Sequence, residues 1–329
     1  MLLYRLGRGQ VLAKIAVKSG RGSAGAQEQN VSRLSSRPLA EGNGWRVRDI
    51  VCTAGPRDRV FEEQHTRPSI AIVAEGTFQY RSTAGRELMT PGSLLLGNPG
   101  QCFECGHEHA AGDRCLSFEY DPEYFETVSA EADASRAPRF GSLRVPPVRA
   151  ISPAITRALA MAAGEGHFPE QRTSAGNLPI HIPSDRVALW EEIALELVAR
   201  SLPIAGAAPS NGVSLPAAEA RVTRVVRMLE QHPDRPHTLA SLATEARLSR
   251  YHFLRIFGQL AGLTPHQYII RARLRRAAMQ LITRPLPVLD IALACGFGDV
   301  SNFNHAFRAE FGMSPSSYRK LGSPNALRL

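Results

Sequence analysis

The chain has 329 residues, enough for two domains with cores of their own, and a formal net charge of +9 at pH 7. No apolar run approaches the length of a membrane span, and the opening MLLYRLGRGQVLAKIAVKSGRG is broken by charges, without the sustained apolar stretch of a signal peptide. Five cysteines, an odd number, do not make the framework of a secreted disulfide protein, so a reducing cytoplasm is the expectation.

Residues 1–44 are rich in Gly, Ser, Arg and Gln with little periodicity, and read as a disordered arm. From Trp45 the period changes to two. WRVRDIVCTA, SIAIVAEGTFQYRS, SLLLGN and RCLSFEY are short strands separated by Gly, Pro and Asp turns. The run from Gly85 to Gly92 (GRELMTPG), an apolar strand, then Asn98-Pro99-Gly100, resembles the second half of a cupin jelly roll. At their usual place the paired histidines of metal-binding cupins are absent, although His65 lies near where one would fall.

Gln101 to His109 (QCFECGHEH), with Cys115 six residues later, gathers Cys102, Cys105, His107, His109 and Cys115. Thiolate and imidazole together suit zinc or another transition metal. As a strand, this stretch would set Cys105, His107 and His109 on one face, and a hairpin through Ala111-Gly112 would bring Cys115 alongside; Cys102 would point away unless a bulge intervenes. Three readings stand open: a metal site, a thiol sensor, or barrel lining in which Phe103 and Cys105 face inward and the histidines border a ligand pocket or loop. Cys52 in a strand and Cys295 in a helix are assigned no role.

Residues 122–201 turn helical. Ser152-Pro153 starts one helix, and Ser184 caps SDRVALWEEIALELVARSL, whose apolar stripe is Val187, Trp190, Ile193, Ala194, Leu197 and Val198. That stripe either covers its own barrel or pairs two copies of the chain. Residues 202–216 (LPIAGAAPSNGVSLP) read as a linker between a domain at 45–201 and another at 217–322, with 323–329 as a tail.

The last third repeats one pattern. In the first copy Thr238 caps a helix with Leu239, Leu242, Ala243 and Ala246 on one face, and Ser249 caps a second with Phe253, Ile256, Phe257 and Leu260 buried. In the second, Ile291, Ala292 and Ala294 fill the packing helix and Gly296 takes the C-cap position. Asp299 or Ser301 then opens a helix with Phe303, Phe307 and Phe311 on its inner side. Left outside are Arg250, Tyr251, Leu254 and Arg255 in one copy, and Ser301, Asn302, Asn304, His305 and Arg308 in the other. This is the helix-turn-helix arrangement, in which the second helix enters a DNA major groove. Between the copies, a helix from Pro265 to Thr283 would be about 28 Å long at 1.5 Å per residue, against the ~34 Å recurrence of the major groove.

Charge follows the same division. From residue 218 onward there are 16 Arg and Lys against 7 Asp and Glu, so this third carries the whole excess, and the remaining 23 of each sign cancel. Surplus positive charge confined to the helix-turn-helix region is a phosphate-binding footprint.

These residues, with GFGDVSNFNHAFRAEFGMSPSSYR at the close, resemble the DNA-binding domain of the AraC/XylS family of bacterial transcription regulators. The resemblance implies base contacts from Tyr251, Arg255, Ser301, Asn302, Asn304 and His305, and phosphate contacts from Arg250 and Arg308. It also implies a cupin-like effector domain at the N-terminal end. Two positions depart from the family pattern. Arg247 stands at a turn position often held by Gly, where a left-handed backbone would cost about 1 kcal/mol. Leu254 replaces a frequent polar reader, which suits a thymine methyl.

The expectation is therefore a two-domain α+β chain: a cupin-like jelly roll with following helices, then an all-α double helix-turn-helix. It is read as a non-enzymatic, DNA-binding transcription regulator, responsive to a ligand, metal or thiol state. Double-stranded promoter DNA, a small-molecule effector, a second copy and, for an activator, RNA polymerase are its partners; membranes are not. The rival readings are a metal-dependent cupin enzyme with a DNA-binding tail, and an architectural DNA-binding protein without sequence preference.

Overall fold

Strands dominate up to Tyr120 and helices thereafter in the computed structural model, which describes residues 34–58, 60, 62–109, 111–132, 138–164, 184–205 and 216–322. The strands are β1 (Leu34–Gly42), β2 (Trp45–Cys52), β3 (Glu62–Gln64), β4 (Ser69–Gly76), β5 (Phe78–Ser82), β6 (Gly85–Met89), β7 (Leu94–Gly97), β8 (Cys102–Gly106), β9 (Asp113–Tyr120) and β10 (Arg144–Val145). They pair antiparallel into a six-stranded sheet ordered β1-β2-β9-β4-β7-β10 and a four-stranded sheet ordered β3-β8-β5-β6.

Alternation decides which face each side chain takes. Ala71, Val73, Leu95 and Cys115 turn toward Phe78, Tyr80 and Met89 of the smaller sheet and close a core between the sheets. Ile70, Ile72, Leu94, Leu96, Leu116 and Phe118 turn the other way, onto helices α1 (Pro122–Ala132), α2 (Ser152–Gly164) and α3 (Ser184–Ala205). Covered on both faces, the middle strands read as unbroken apolar runs rather than alternating ones. The α3 stripe is spent here: Val187, Trp190, Ile193, Ala194, Leu197 and Val198 all pack into this core. The Tyr120 hydroxyl donates to the Ala194 carbonyl at 2.9 Å. Of the two uses expected for the stripe, covering its own sheet is the one displayed.

Three details differ from the sequence reading. Residues 34–42 are not part of a disordered arm but form β1, an edge strand whose polar, largely exposed side chains carry no alternation. The signal for it was the two-residue connection Asn43-Gly44, with Gly44 at φ 92°, a strong hairpin turn. The expected linker begins too early, because α3 runs on through Pro203 with Leu202 and Ala205 buried. Finally, β8 and β9 do not form a hairpin: β8 pairs with β3 and β5, and β9 with β2 and β4, so the chain crosses from one sheet to the other after Gly106. Residues 1–33, 206–215 and 323–329 lie outside the described residues.

The second domain holds α4 (Pro216–Gln231), α5 (Leu239–Glu245), α6 (Arg250–Ala261), α7 (Pro265–Thr283), α8 (Val288–Ala294), α9 (Val300–Phe311) and α10 (Pro315–Gly322). Its two halves have separate cores. Val222, Val225, Leu229, Leu242, Phe253 and Phe257 fill the first; Ile291, Phe297, Phe303, Phe307, Phe311 and Tyr318 fill the second. Helix α7 belongs to both, giving Tyr268 and Ile269 to one and Leu274, Ala277, Ala278 and Leu281 to the other. Thr264 starts it with a reciprocal cap through Gln267 and a proline at the first position.

The domains are docked. Leu88 of β6 lies in the first helical core, Arg86 pairs with Glu219 of α4, and Arg144 Nη1 donates to the Leu260 carbonyl at 2.8 Å. Helix α2 meets the second half, where the Tyr318 hydroxyl donates to Thr156 at 2.9 Å and Ser152 bonds Glu310.

Candidate nucleic-acid interface

Each reading helix is set by its own cap and by the turn before it. Thr238 accepts from the Ser241 amide to begin α5, Ser249 accepts from the His252 amide to begin α6, and Asp299 accepts from the Asn302 amide at 2.7 Å to begin α9. The intervening turns are built alike. Leu248 N donates to Ala243 O at 3.0 Å and Phe297 N to Ala292 O at 3.1 Å, folding the chain back over the end of the packing helix. Both need a left-handed residue: Gly296 at φ 87° supplies it without strain, whereas Arg247 holds φ 52° with a side chain attached.

With the phenylalanines turned inward, α6 and α9 leave Arg250, Tyr251, Arg255, Ser301, Asn302, Asn304, His305 and Arg308 exposed. Tyr251 is 79% exposed, far more than a large aromatic needs for packing, and Leu254 beside it is 38% exposed. Arg250, Arg255 and Arg308 have no ion-pair or hydrogen-bond partner among the described residues. The arginines of α7 behave otherwise. Arg271 pairs with Glu310, Arg275 with Glu230 and Arg276 with Asp234. Arg273 donates to the carbonyls of Pro233 at 2.6 Å, Gly296 at 2.7 Å and Arg235 at 2.9 Å. Guanidinium groups on α7 thus tie to other parts of the chain, and those on α6 and α9 have no partner among the described residues.

The five-residue Cys/His set does not assemble as one site. Cys105 and Cys115 meet in the core between the sheets, where burial pushes both thiols well above the usual range, opposite to a reactive thiolate. Cys102 begins β8, opposite Gln64 of β3, its sulfur 3.7 Å from the Gln64 amide. His109 borders an open groove of about 430 Å³ with Arg224 and Arg227 of α4. Only His107 joins a compact donor group, and its companions are Cys52 and Asp113. Burial alone would lower the His107 pKa, but the hydrogen bond and charge of Asp113, with Cys52, outweigh it and hold the imidazole at about 9. Sequence reasoning missed Cys52 and Asp113 because their approach depends on the β2–β9 register, which no local pattern announces. His65 lies toward the opposite end of the sandwich, beside Ser69 at the start of β4, its ring stacked on Phe103 and bonded to the Tyr80 hydroxyl at 2.7 Å; burial drops its pKa to about 4.

Comparison with known proteins divides the chain in the same place. Residues 51–176 match the AraC-like ligand binding domain and residues 242–321 match a helix-turn-helix domain. The probable transcriptional regulator LumQ of Photobacterium leiognathi is 38% identical over 91 residues, 28% of this chain and 37% of that protein. The transcriptional activator RclR of Escherichia coli K12, described as specific for RCS, is 35% identical over 100 residues, 30% of this chain and 35% of that protein. The match thus spans about a third of the length of these relatives. Among solved structures, the DNA-binding domain of AdpA in complex with a target DNA is 32% identical and covers 30% of this chain and 89% of that one, with a TM-score of 0.30. The chain thus carries an AraC-like ligand-binding domain followed by an AraC-type helix-turn-helix domain, and its homologues are transcriptional regulators of the AraC family.

Proposed function

We propose that the chain regulates transcription by sequence-specific binding to double-stranded promoter DNA, with α6 and α9 placed in successive major-groove segments. Tyr251 and Arg255 read bases from the first unit, and Ser301, Asn302, Asn304 and His305 from the second. Arg250 and Arg308 anchor phosphates. The sandwich of β-strands receives the signal, and a change of its state alters the presentation of the two units. Activation, with RNA polymerase as the partner it implies, is the preferred sign of control; a second copy of the chain would extend the site. In this reading the chain turns nothing over, and substrate-dependent oxygen uptake by metal-loaded protein would contradict it.

The observation that carries the proposal is the contrast in arginine usage: ties within the chain on α7, and on both second helices cations without a partner among the described residues, beside exposed Asn, Ser, His and Tyr. A folding role does not explain such groups; a polyanion with readable edges does. Footprinting at physiological salt, against fragments selected from genomic DNA by the purified protein, is the test. Protection of a defined site of roughly two helical turns, about 20 bp, is expected. Uniform protection of all fragments would instead make the protein architectural.

A further inference from the structure

Cys52 ends β2 and Asp113 begins β9, and the register sets them directly opposite each other, so both side chains leave the same face of the sheet. That face is the inner one, since Cys115, two residues on, lies in the core between the sheets. His107 arrives from the other side as the first residue after β8 of the smaller sheet. The thiol sulfur, one imidazole nitrogen and one carboxylate oxygen all lie within 4.8 Å of one another. His107 Nε2 and Asp113 Oδ1 are 2.5 Å apart. All three groups are withdrawn from solvent, Cys52 at 8% and His107 at 6% exposure. They are also held from behind: Cys115 Sγ donates to the second Asp113 oxygen at 3.5 Å, and the Phe78 ring walls the imidazole at 5.9 Å.

We propose that Cys52, His107 and Asp113 form a zinc site at one end of the sandwich, sharing only His107 with the sequence-adjacent Cys/His set and independent of the DNA-reading assignment. Thiolate, imidazole and carboxylate are the three ligand types zinc takes, and a thiolate with a carboxylate balances its charge of two. Tetrahedral zinc, with bonds of about 2.0–2.3 Å, sets its ligands roughly 3.3–3.6 Å apart. The ion therefore takes the place of the proton between His107 and Asp113, spreading those two atoms and drawing the sulfur inward by small side-chain rotations. Three protein donors leave the fourth position to water or a small anion, the arrangement of an exchangeable site rather than a closed structural one. The carboxylate hydrogen bond from Cys115 fixes the orientation of its ligand, as outer contacts do around bound metals. Occupancy has a route to the helical domain: Glu108, next to His107, pairs with Arg81 and with Arg86 at 3.7 Å, and Arg86 pairs with Glu219 of α4.

The test uses the full chain, stripped with chelator and kept reduced, titrated with zinc by calorimetry and with cobalt by absorption. One ion per chain is expected, with tetrahedral-intensity cobalt bands and a thiolate-to-cobalt charge-transfer band. Cys52→Ser removes the charge-transfer band, and Cys52→Ser and Asp113→Asn each weaken zinc binding by at least ~100-fold, beyond the 10–100-fold typical of losing an outer contact. Cys102→Ser and His109→Ala leave it unchanged. Circular dichroism of each metal-free variant separates ligand loss from misfolding, and the wild-type cobalt spectrum decides irrespective of any variant. A wild-type spectrum without a thiolate band overturns the site, as does binding abolished by His109→Ala and retained by Cys52→Ser.

Discussion

Arg255 and Asn302 stand on the exposed faces of α6 and α9, one in each reading unit, and Arg255 has no partner among the described residues. Removing either side chain therefore leaves the cores of Phe253, Phe257, Phe303 and Phe307 untouched. Arg255→Ala and Asn302→Ala are each expected to weaken the selected site by about 1–3 kcal/mol and random DNA far less. Equal losses on both would mean that these residues touch only phosphate. Arg247 is the converse case, a side chain that costs the fold. At φ 52° it holds the left-handed backbone that Gly296 supplies in the second unit. Arg247→Gly should raise stability by about 0.5–1 kcal/mol in a urea titration, relief of the steric cost exceeding the greater entropy of an unfolded glycine. His65 gives the pH prediction. Its folded pKa of about 4 lies below the unfolded value near 6.5, so the unfolded chain binds the proton more tightly. Its stabilising contribution is complete above about 6.5 and is lost as pH falls toward 4, at up to about 1.4 kcal/mol per pH unit. His65→Gln should show a shallower fall in urea midpoint across that window than the wild type, and parallel curves would rule the histidine out.

Among the elements, the helix-turn-helix pairs were readable before any coordinate, because each is decided locally. Caps at Thr238, Ser249, Thr264 and Asp299, the glycine at 296 and the 3.6-residue stripes all lie within a dozen residues of what they control. Strand identity was readable for β2, β4, β5, β7 and β9 by their apolar or alternating runs, and not for β1, whose edge position removes the pattern. The pairing was not readable. Whether the chain after Gly106 turns back or crosses to the other sheet depends on contacts between Gln79, Tyr80 and Arg81 of β5 and Glu104, Cys105 and Gly106 of β8, and these are long-range. That is why the Cys/His stretch was grouped by sequence proximity when the fold groups His107 with Cys52 and Asp113. One tie between elements is testable directly. Arg273 spans from α7 to carbonyls on both sides, including Gly296 in the turn before α9. Arg273→Ala should cost about 2–4 kcal/mol, several charge-assisted bonds to partly buried carbonyls being lost at once. Arg276→Ala, whose guanidinium makes only an exposed pair at 3.2 Å with Asp234, should cost under about 1 kcal/mol.

At the scale of the whole molecule the question is what keeps the helical domain against the sandwich. Its apolar part is modest, Leu88 and Val148 entering the first helical core. The polar part is less forgiving. The Glu219 side chain is only 1% exposed, and Arg86 is the cation that faces it, while Arg86 also reaches Glu108. Burial alone raises the Glu219 pKa, and Arg86 and Arg81 pull against that rise. Arg86→Ala should therefore do more than delete a contact, because it strands a carboxylate away from water, a defect of about 3–5 kcal/mol when the burial is complete. The domain should respond by undocking, so that Glu219 regains solvent and one cooperative unfolding transition separates into two. X-ray scattering would show an increased radius of gyration. Adding Glu219→Gln removes the stranded charge, and the double variant should recover most of the docking that the single variant loses. This non-additivity distinguishes an electrostatic latch from simple loss of packing. If Arg86→Ala and its double variant both stay docked with unchanged scattering, the apolar contacts and the ties through Arg144, Ser152 and Tyr318 hold the domains, and the route from His107 through Glu108 and Arg86 to α4 has no force behind it.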